Sequence, residues 1–92
     1  MVYLTIYRWR PENRKAIVQR FMETGGVPPP GVKLLSRWTD VAGGRGFSLT
    51  EADDPVAASK FAYAWNDLMS FEMVPVVSDE QLCAGDTPGR SG

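Results

Sequence analysis

Arg37, Tyr7 and Asn66 are the side chains of this 92-residue chain whose types suit chemistry on a small organic molecule. An arginine near the end of a strand can clamp a carboxylate or an enolate with its fork of N–H donors. A tyrosine hydroxyl can donate a proton if its surroundings lower an ordinary pKa of about 10. An asparagine beside a pocket can anchor a carbonyl or a dioxygen-derived anion. Phe61, Trp38 and Trp65 supply the aromatic bulk that would wall such a pocket. Each residue also has a plainer reading. Arg37 can pair with Glu51 across a hairpin, Tyr7 can pack with its hydroxyl bonded, and Asn66 can be solvated. Trp65 can belong to a core, and Trp38 can be a contact between subunits.

What the chain lacks narrows the chemistry further. It contains no histidine, which removes the commonest general base near neutral pH, the usual proximal haem ligand and the commonest ligand of catalytic zinc. Glu51, Asp53 and Asp54 gather three carboxylates, but Asp54 is accounted for as a helix cap and the set is too small to specify a metal. Neither metal nor cofactor is expected. Gly43, Gly44 and Gly46 precede a strand and lack the spacing that cradles phosphate. The single cysteine, Cys83, can form no internal disulfide and has no histidine to activate it. Ten basic residues against eleven acidic ones, scattered along the chain, argue against a nucleic-acid or anionic-membrane partner. No run approaches the roughly 20 apolar residues that cross a bilayer, and the N-terminus enters a strand pattern in place of a signal peptide. A cytoplasmic protein is expected.

The elements that must position these residues follow from periodicity. Residues 2–9 alternate Val2, Leu4 and Ile6 against Tyr3, Thr5, Tyr7 and Trp9, a strand apolar on both faces and therefore central in a sheet. Pro11 and Glu12 open a helix of about 13 residues with the stripe Ile17, Val18, Phe21 and Met22. Gly25 and Gly26 end it through a left-handed cap, and the prolines at 28–30 keep the bridge that follows extended. Residues 32–39 read as a strand with Val32, Leu34, Ser36 and Trp38 on one face and Lys33, Leu35, Arg37 and Thr39 on the other. The turn at 40–46 joins it to a strand over 46–51 as an antiparallel hairpin. Asp54 and Pro55 start a second helix, along which Ala58, Phe61, Ala62, Trp65, Leu68 and Met69 recur at helical spacing. The last strand, 71–77, contains Pro75, which confines it to an edge or a bulge.

This order, βαββαβ, is that of a ferredoxin-like α+β fold with two helices on one face of a four-stranded antiparallel sheet. It places a single domain over residues 1–80 and a disordered tail over 81–92. A chain this short, with apolar character on its uncovered sheet face, is expected to pack that face against a second copy.

The runs Y-R-W-R-P-E-N-R (7–14), E-T-G-G-V-P-P-P-G-V-K-L-L-S-R-W (23–38), G-F-S-L-T-E-A-D-D-P (46–55) and W-N-D-L-M-S-F-E-M-V-P-V (65–76) resemble a family of small bacterial proteins known as a domain of unknown function among the dimeric α+β barrels. The resemblance covers residues 1–80. It implies a homodimeric barrel, in a group that includes cofactor-independent monooxygenases, haem-degrading and chlorite-processing enzymes, isomerases and stress-response proteins. Members similar to the monooxygenases hold substrate between sheet and helices with aromatic, asparagine and arginine side chains. Thr39 stands where related sequences often have histidine, which removes a base or metal role there.

Two functional classes remain. One is a cofactor-independent enzyme, monooxygenase-like or isomerase-like, acting on a small aromatic or enolisable molecule, with Asn66, Arg37 and Tyr7 catalytic and Trp38, Trp65 and Phe61 binding substrate. The other is a non-catalytic small-molecule-binding or accessory protein, favoured by the lack of histidine and of an obvious nucleophile.

Overall fold

A computed structural model describes residues 1–85 of the chain. Strand β1 (Val2–Arg8) leads through a 3-10 turn at Pro11–Asn13 into helix α1 (Arg14–Thr24). The chain continues through β2 (Val32–Thr39), β3 (Arg45–Ala52), helix α2 (Pro55–Tyr63), β4 (Ser70–Val76) and a short helix α3 (Asp79–Gly85). The four strands form one antiparallel sheet in the order β2-β3-β1-β4. The ferredoxin-like α+β architecture is therefore present, with β1 central and the proline-bearing β4 at an edge.

Local chemistry accounts for the boundaries. Gly25 ends α1 in the left-handed conformation at φ 71°, its N–H donating to the Phe21 carbonyl at 2.7 Å. Asp54 caps α2 by accepting from the Ala57 N–H at 2.8 Å, with Pro55 as first helical residue. Helix α2 stops at Tyr63, short of the stretch its apolar spacing predicts, and residues 64–68 continue as turns. Side chains of α1 and of the 3-10 turn before it take the carbonyls there: Arg20 donates to the Ala64 carbonyl at 3.1 Å and Asn13 to that of Leu68 at 3.1 Å. Residues 79–85 are helical, so the part of the expected tail at 81–85 is ordered into α3, whose side chains at 79–84 are all exposed. Residues 86–92 of that expected tail lie outside the described residues.

One irregularity reassigns side chains. Leu34 pairs with Thr50, yet Ser36 pairs with Leu49, so a bulge at Leu35 interrupts the β2–β3 register. An inserted residue inverts the alternation beyond it. Val32, Leu34, Arg37 and Thr39 lie opposite Ala52, Thr50, Ser48 and Gly46 on the helix-covered face, while Lys33, Ser36 and Trp38 lie on the open one. The uninterrupted alternation expected for residues 32–39 is thus corrected after Leu34.

The core is small. Tyr3, Ala52 and Ala58 are buried together, with Val32 and Met73 against them. The two alanines let the start of α2 approach the sheet closely. Of the stripe expected on α1, Ile17 is buried, but Met22 faces solvent at 80% exposure, so the stripe is narrower than its spacing suggests.

Candidate functional site

Past that small core, the helices part from the sheet and leave a half-open cavity of about 680 Å³. Its floor is the covered face of the sheet: Thr5 and Tyr7 on β1, Ser48 on β3, Arg37 and Thr39 on β2, and Phe71 and Met73 on β4. Ile17, Val18 and Phe21 of α1 form one wall. Phe61 and Ala62 of α2, with Trp65 and Met69 from the turns that follow, form the other. Apolar walls with a few polar groups on the floor are the usual make-up of a small-molecule site.

Tyr7 is held by aromatic neighbours, its ring centroid 6.2 Å from that of Trp9 and 5.9 Å from that of Phe71. It lies across Gly46, its partner in the β1–β3 ladder, where a Cβ would collide with the ring. Gly46, read from sequence as the residue where the turn meets the strand, makes room for a site side chain. Burial pushes the Tyr7 hydroxyl above the usual phenol value, opposed by the nearby positive charge of Arg37. The phenol therefore stays protonated at neutral pH, a hydrogen-bond donor and no base.

Arg37 is seated by two contacts. Its Nη2 donates to the Gly26 carbonyl at 3.1 Å, and its guanidinium carbon lies 5.0 Å from the centroid of the Phe21 ring. A Cβ on Gly26 would collide with both the guanidinium and that ring, and Gly26 also has φ 62°, so this position requires glycine twice over. The ion pair with Glu51 considered from sequence is absent, because the bulge sets Arg37 opposite Ser48 on the other face. Asp40, also at the cavity, accepts from the Ala42 N–H at 2.9 Å and from Arg45 at 3.2 Å. The Ala42 bond, followed by Arg45, holds its carboxyl below the usual range.

A clasp joins the two walls. Arg20 on α1 grips Asp67 through two hydrogen bonds, at 2.8 and 2.7 Å, and lies 5.5 Å from the Trp65 ring centroid. The first bond partner, Arg20, is also the main cause that holds the Asp67 carboxyl below its ordinary value.

The structure brings together Tyr7, Arg37, Phe61 and Trp65 around one cavity. Two expected members are elsewhere. Trp38 is 67% exposed on the open sheet face, placed there by the bulge, and walls no pocket. Asn66 is exposed beyond the end of α2 and borders only a shallow depression beside Tyr63 and Ser70. Trp65 satisfies both of its readings, being buried and a wall of the cavity. Sequence reasoning missed the floor hydroxyls of Thr5 and Ser48, and also Trp9, Arg14 and Phe71. Thr5 was visible beside Tyr7 in the β1 alternation; Ser48 carried no comparable signal. Among the described residues no three cysteine, aspartate or glutamate side chains gather to hold a metal, and no helix is long and apolar enough to cross a membrane.

Comparison with known proteins agrees with this architecture. The structure is similar to that of a candidate antibiotic biosynthesis monooxygenase from Deinococcus radiodurans, with a TM-score of 0.51 at 13% identity over 85% of this chain and 94% of that one. At that identity the likeness shows the fold alone. No curated protein matches the sequence. Residues 1–87 match the family described as a domain of unknown function, DUF3303, and the chain belongs to that family.

Proposed function

We propose that the chain forms a homodimer whose protomers each bind a small aromatic or enolisable molecule in this cavity and act on it without a cofactor, by oxidation or isomerisation. The observation that carries this reading is the cavity itself: aromatic walls over a floor that presents the Arg37 guanidinium and the Tyr7 phenol. Both are donors suited to an oxygen on which negative charge develops, and exclusion of water would strengthen them. An enolisable substrate supplies its own electrons to dioxygen or its own mobile proton, which suits a site with no histidine. Phe61 and Trp65 are the binding walls. The likeness to a monooxygenase candidate supports the reaction class by analogy only.

Dimerisation is read from the open sheet face. Leu4, Ile6, Phe47, Leu49 and Val74 share it with Trp38, an apolar surface that a second copy of the same sheet would cover. The exposed free thiol of Cys83 suits a reducing compartment, and we assign the protein to the cytoplasm on that ground.

A second reading, a carrier or sensor with no turnover, is favoured by one observation. Among the described residues the only carboxylate lining the cavity, Asp40, is engaged by Arg45, and Tyr7 is held as a phenol, so none of them offers the guest a free base. Native mass spectrometry of protein purified from its own host separates the possibilities. A dimer that carries a small molecule, which is consumed when the protein is incubated with that molecule and air, supports the enzyme. A dimer that retains the molecule unchanged supports the carrier, and a monomer overturns the assembly.

A further inference from the structure

We propose that the cavity is built for an organic monocarboxylate, its acid group held by Arg37 over β2 and its apolar body reaching toward β4. This rests on the cavity being a ligand site and adds the charge and direction of the ligand.

The arginines of the described chain divide sharply. Arg8, Arg10, Arg20 and Arg45 have carboxylate partners in Glu72, Glu12, Asp67 and Asp40. Arg37 faces the cavity and has no ion pair among the described residues, yet its guanidinium is held in place by the Gly26 carbonyl and the Phe21 ring. Seating takes one of its five N–H donors and leaves the rest for a guest. A partly buried cation without a partner is costly to a fold, and a carboxylate offers it a bidentate match. Arg14, at the start of α1, also lines the cavity without an ion pair among the described residues. Because the Asp40 carboxylate is already engaged by Arg45, the cavity carries positive charge that no lining residue among those described balances.

Direction comes from register. Arg37, Ser48, Thr5 and Met73 lie opposite one another across the four strands, one side chain from each, on the covered face. The row spans three strand spacings, about 14 Å. It begins with a guanidinium, passes two buried hydroxyls and ends at a thioether, with Phe71 and Met69 beside it. A molecule laid along it meets donors at one end and only apolar surface at the other. A wholly apolar guest would leave Arg37 unpaired, and a small inorganic anion would leave the β4 end empty.

The test is to titrate the wild-type protein with 2-naphthoate and with its neutral counterpart 2-naphthamide by calorimetry, and then to repeat both titrations on Arg37→Met. Naphthoate is expected to bind at least tenfold tighter than the amide, and the preference is expected to vanish in Arg37→Met. Equal affinities in the wild type, or a preference that survives Arg37→Met, overturn the anion assignment and leave the cavity as a ligand site. Binding of neither compound at millimolar concentration overturns the ligand site as well. The wild-type comparison needs no variant, so it decides the matter even if Arg37→Met fails to fold.

Discussion

The middles of the two sheet faces differ from what their positions suggest. Beneath the helices, Thr5, Ser48, Thr50, Tyr7 and Arg37 stand among Tyr3, Val32, Ala52 and Met73, whereas the face without helices presents Leu4, Ile6, Phe47, Leu49 and Val74 inside a rim of Arg8, Lys33, Arg45, Glu51 and Glu72. In a domain that stands alone, the middle of the covered face would be the oily one and that of the bare face the wet one. The two departures have a common explanation. The helices roof a site, so the surface under them keeps hydroxyls and a charge for a guest, and part of the hydrophobic burial that a small chain needs moves to the other side.

That contrast can be broken by substitution on either face. The largest effect is expected from Leu49→Lys on the open face, which would place an unpaired charge inside the proposed interface at a cost of about 3–5 kcal/mol. Size-exclusion chromatography with light scattering should show single chains in place of pairs, with a lower melting temperature. A wild-type mass of one chain, or an unchanged assembly in the variant, would mean that the open face covers nothing.

Gly46→Ala probes the covered face. The added methyl collides with the Tyr7 ring, and overpacking of this kind costs about 1–3 kcal/mol. Urea unfolding of Gly46→Ala, Tyr7→Ala and the double variant should give a cycle in which removing the ring relieves most of the penalty. Simple additivity would show that the ring does not lie over Gly46.

The smallest effect has the opposite sign. The hydroxyls of Thr50 and Tyr3, directly opposed in the β1–β3 ladder, are buried without hydrogen-bond partners. Thr50→Val keeps the shape and removes one stranded hydroxyl, which should stabilise the fold by about 1 kcal/mol. For a domain of this size that corresponds to a rise in Tm of about 4–8 °C, measurable by calorimetry. A fall would mean that the hydroxyl holds a buried water.

Much of this architecture was legible because local signals agreed with the tertiary outcome. Val2 to Arg8 announced a central strand by being apolar on both faces, and Asp54-Pro55 and Thr24-Gly25 fixed helix ends through capping chemistry that acts within one turn. The candidate site was legible only in part, since its members depend on contacts distant in sequence. Tyr7 and Arg37 were visible as types. The bulge that turns Arg37 inward and Trp38 outward left no local mark, because Leu34-Leu35-Ser36 reads equally well as unbroken alternation. Asn66 was misplaced for a similar reason: apolar spacing continues past Tyr63, while the chain turns at 64–68, where the Ala64 and Leu68 carbonyls accept from Arg20 and Asn13. Gly46 hid its purpose in a run of turn glycines, since nothing local shows that a ring needs its missing side chain.

The bulge at Leu35 also constrains how such a chain can evolve. Arg37 faces the cavity and Trp38 the opposite side, and the same extra residue assigns both. Drawing Leu35 into the ladder opposite Leu49, with the chain length unchanged, would exchange the two, sending the arginine to the outer surface and the tryptophan under the helices, so ligand choice and self-recognition would change together. Arg37, Trp38 and the residues that hold Leu35 out of the ladder should therefore be inherited as a unit, because neither side chain can be turned over by a register shift without disturbing the other.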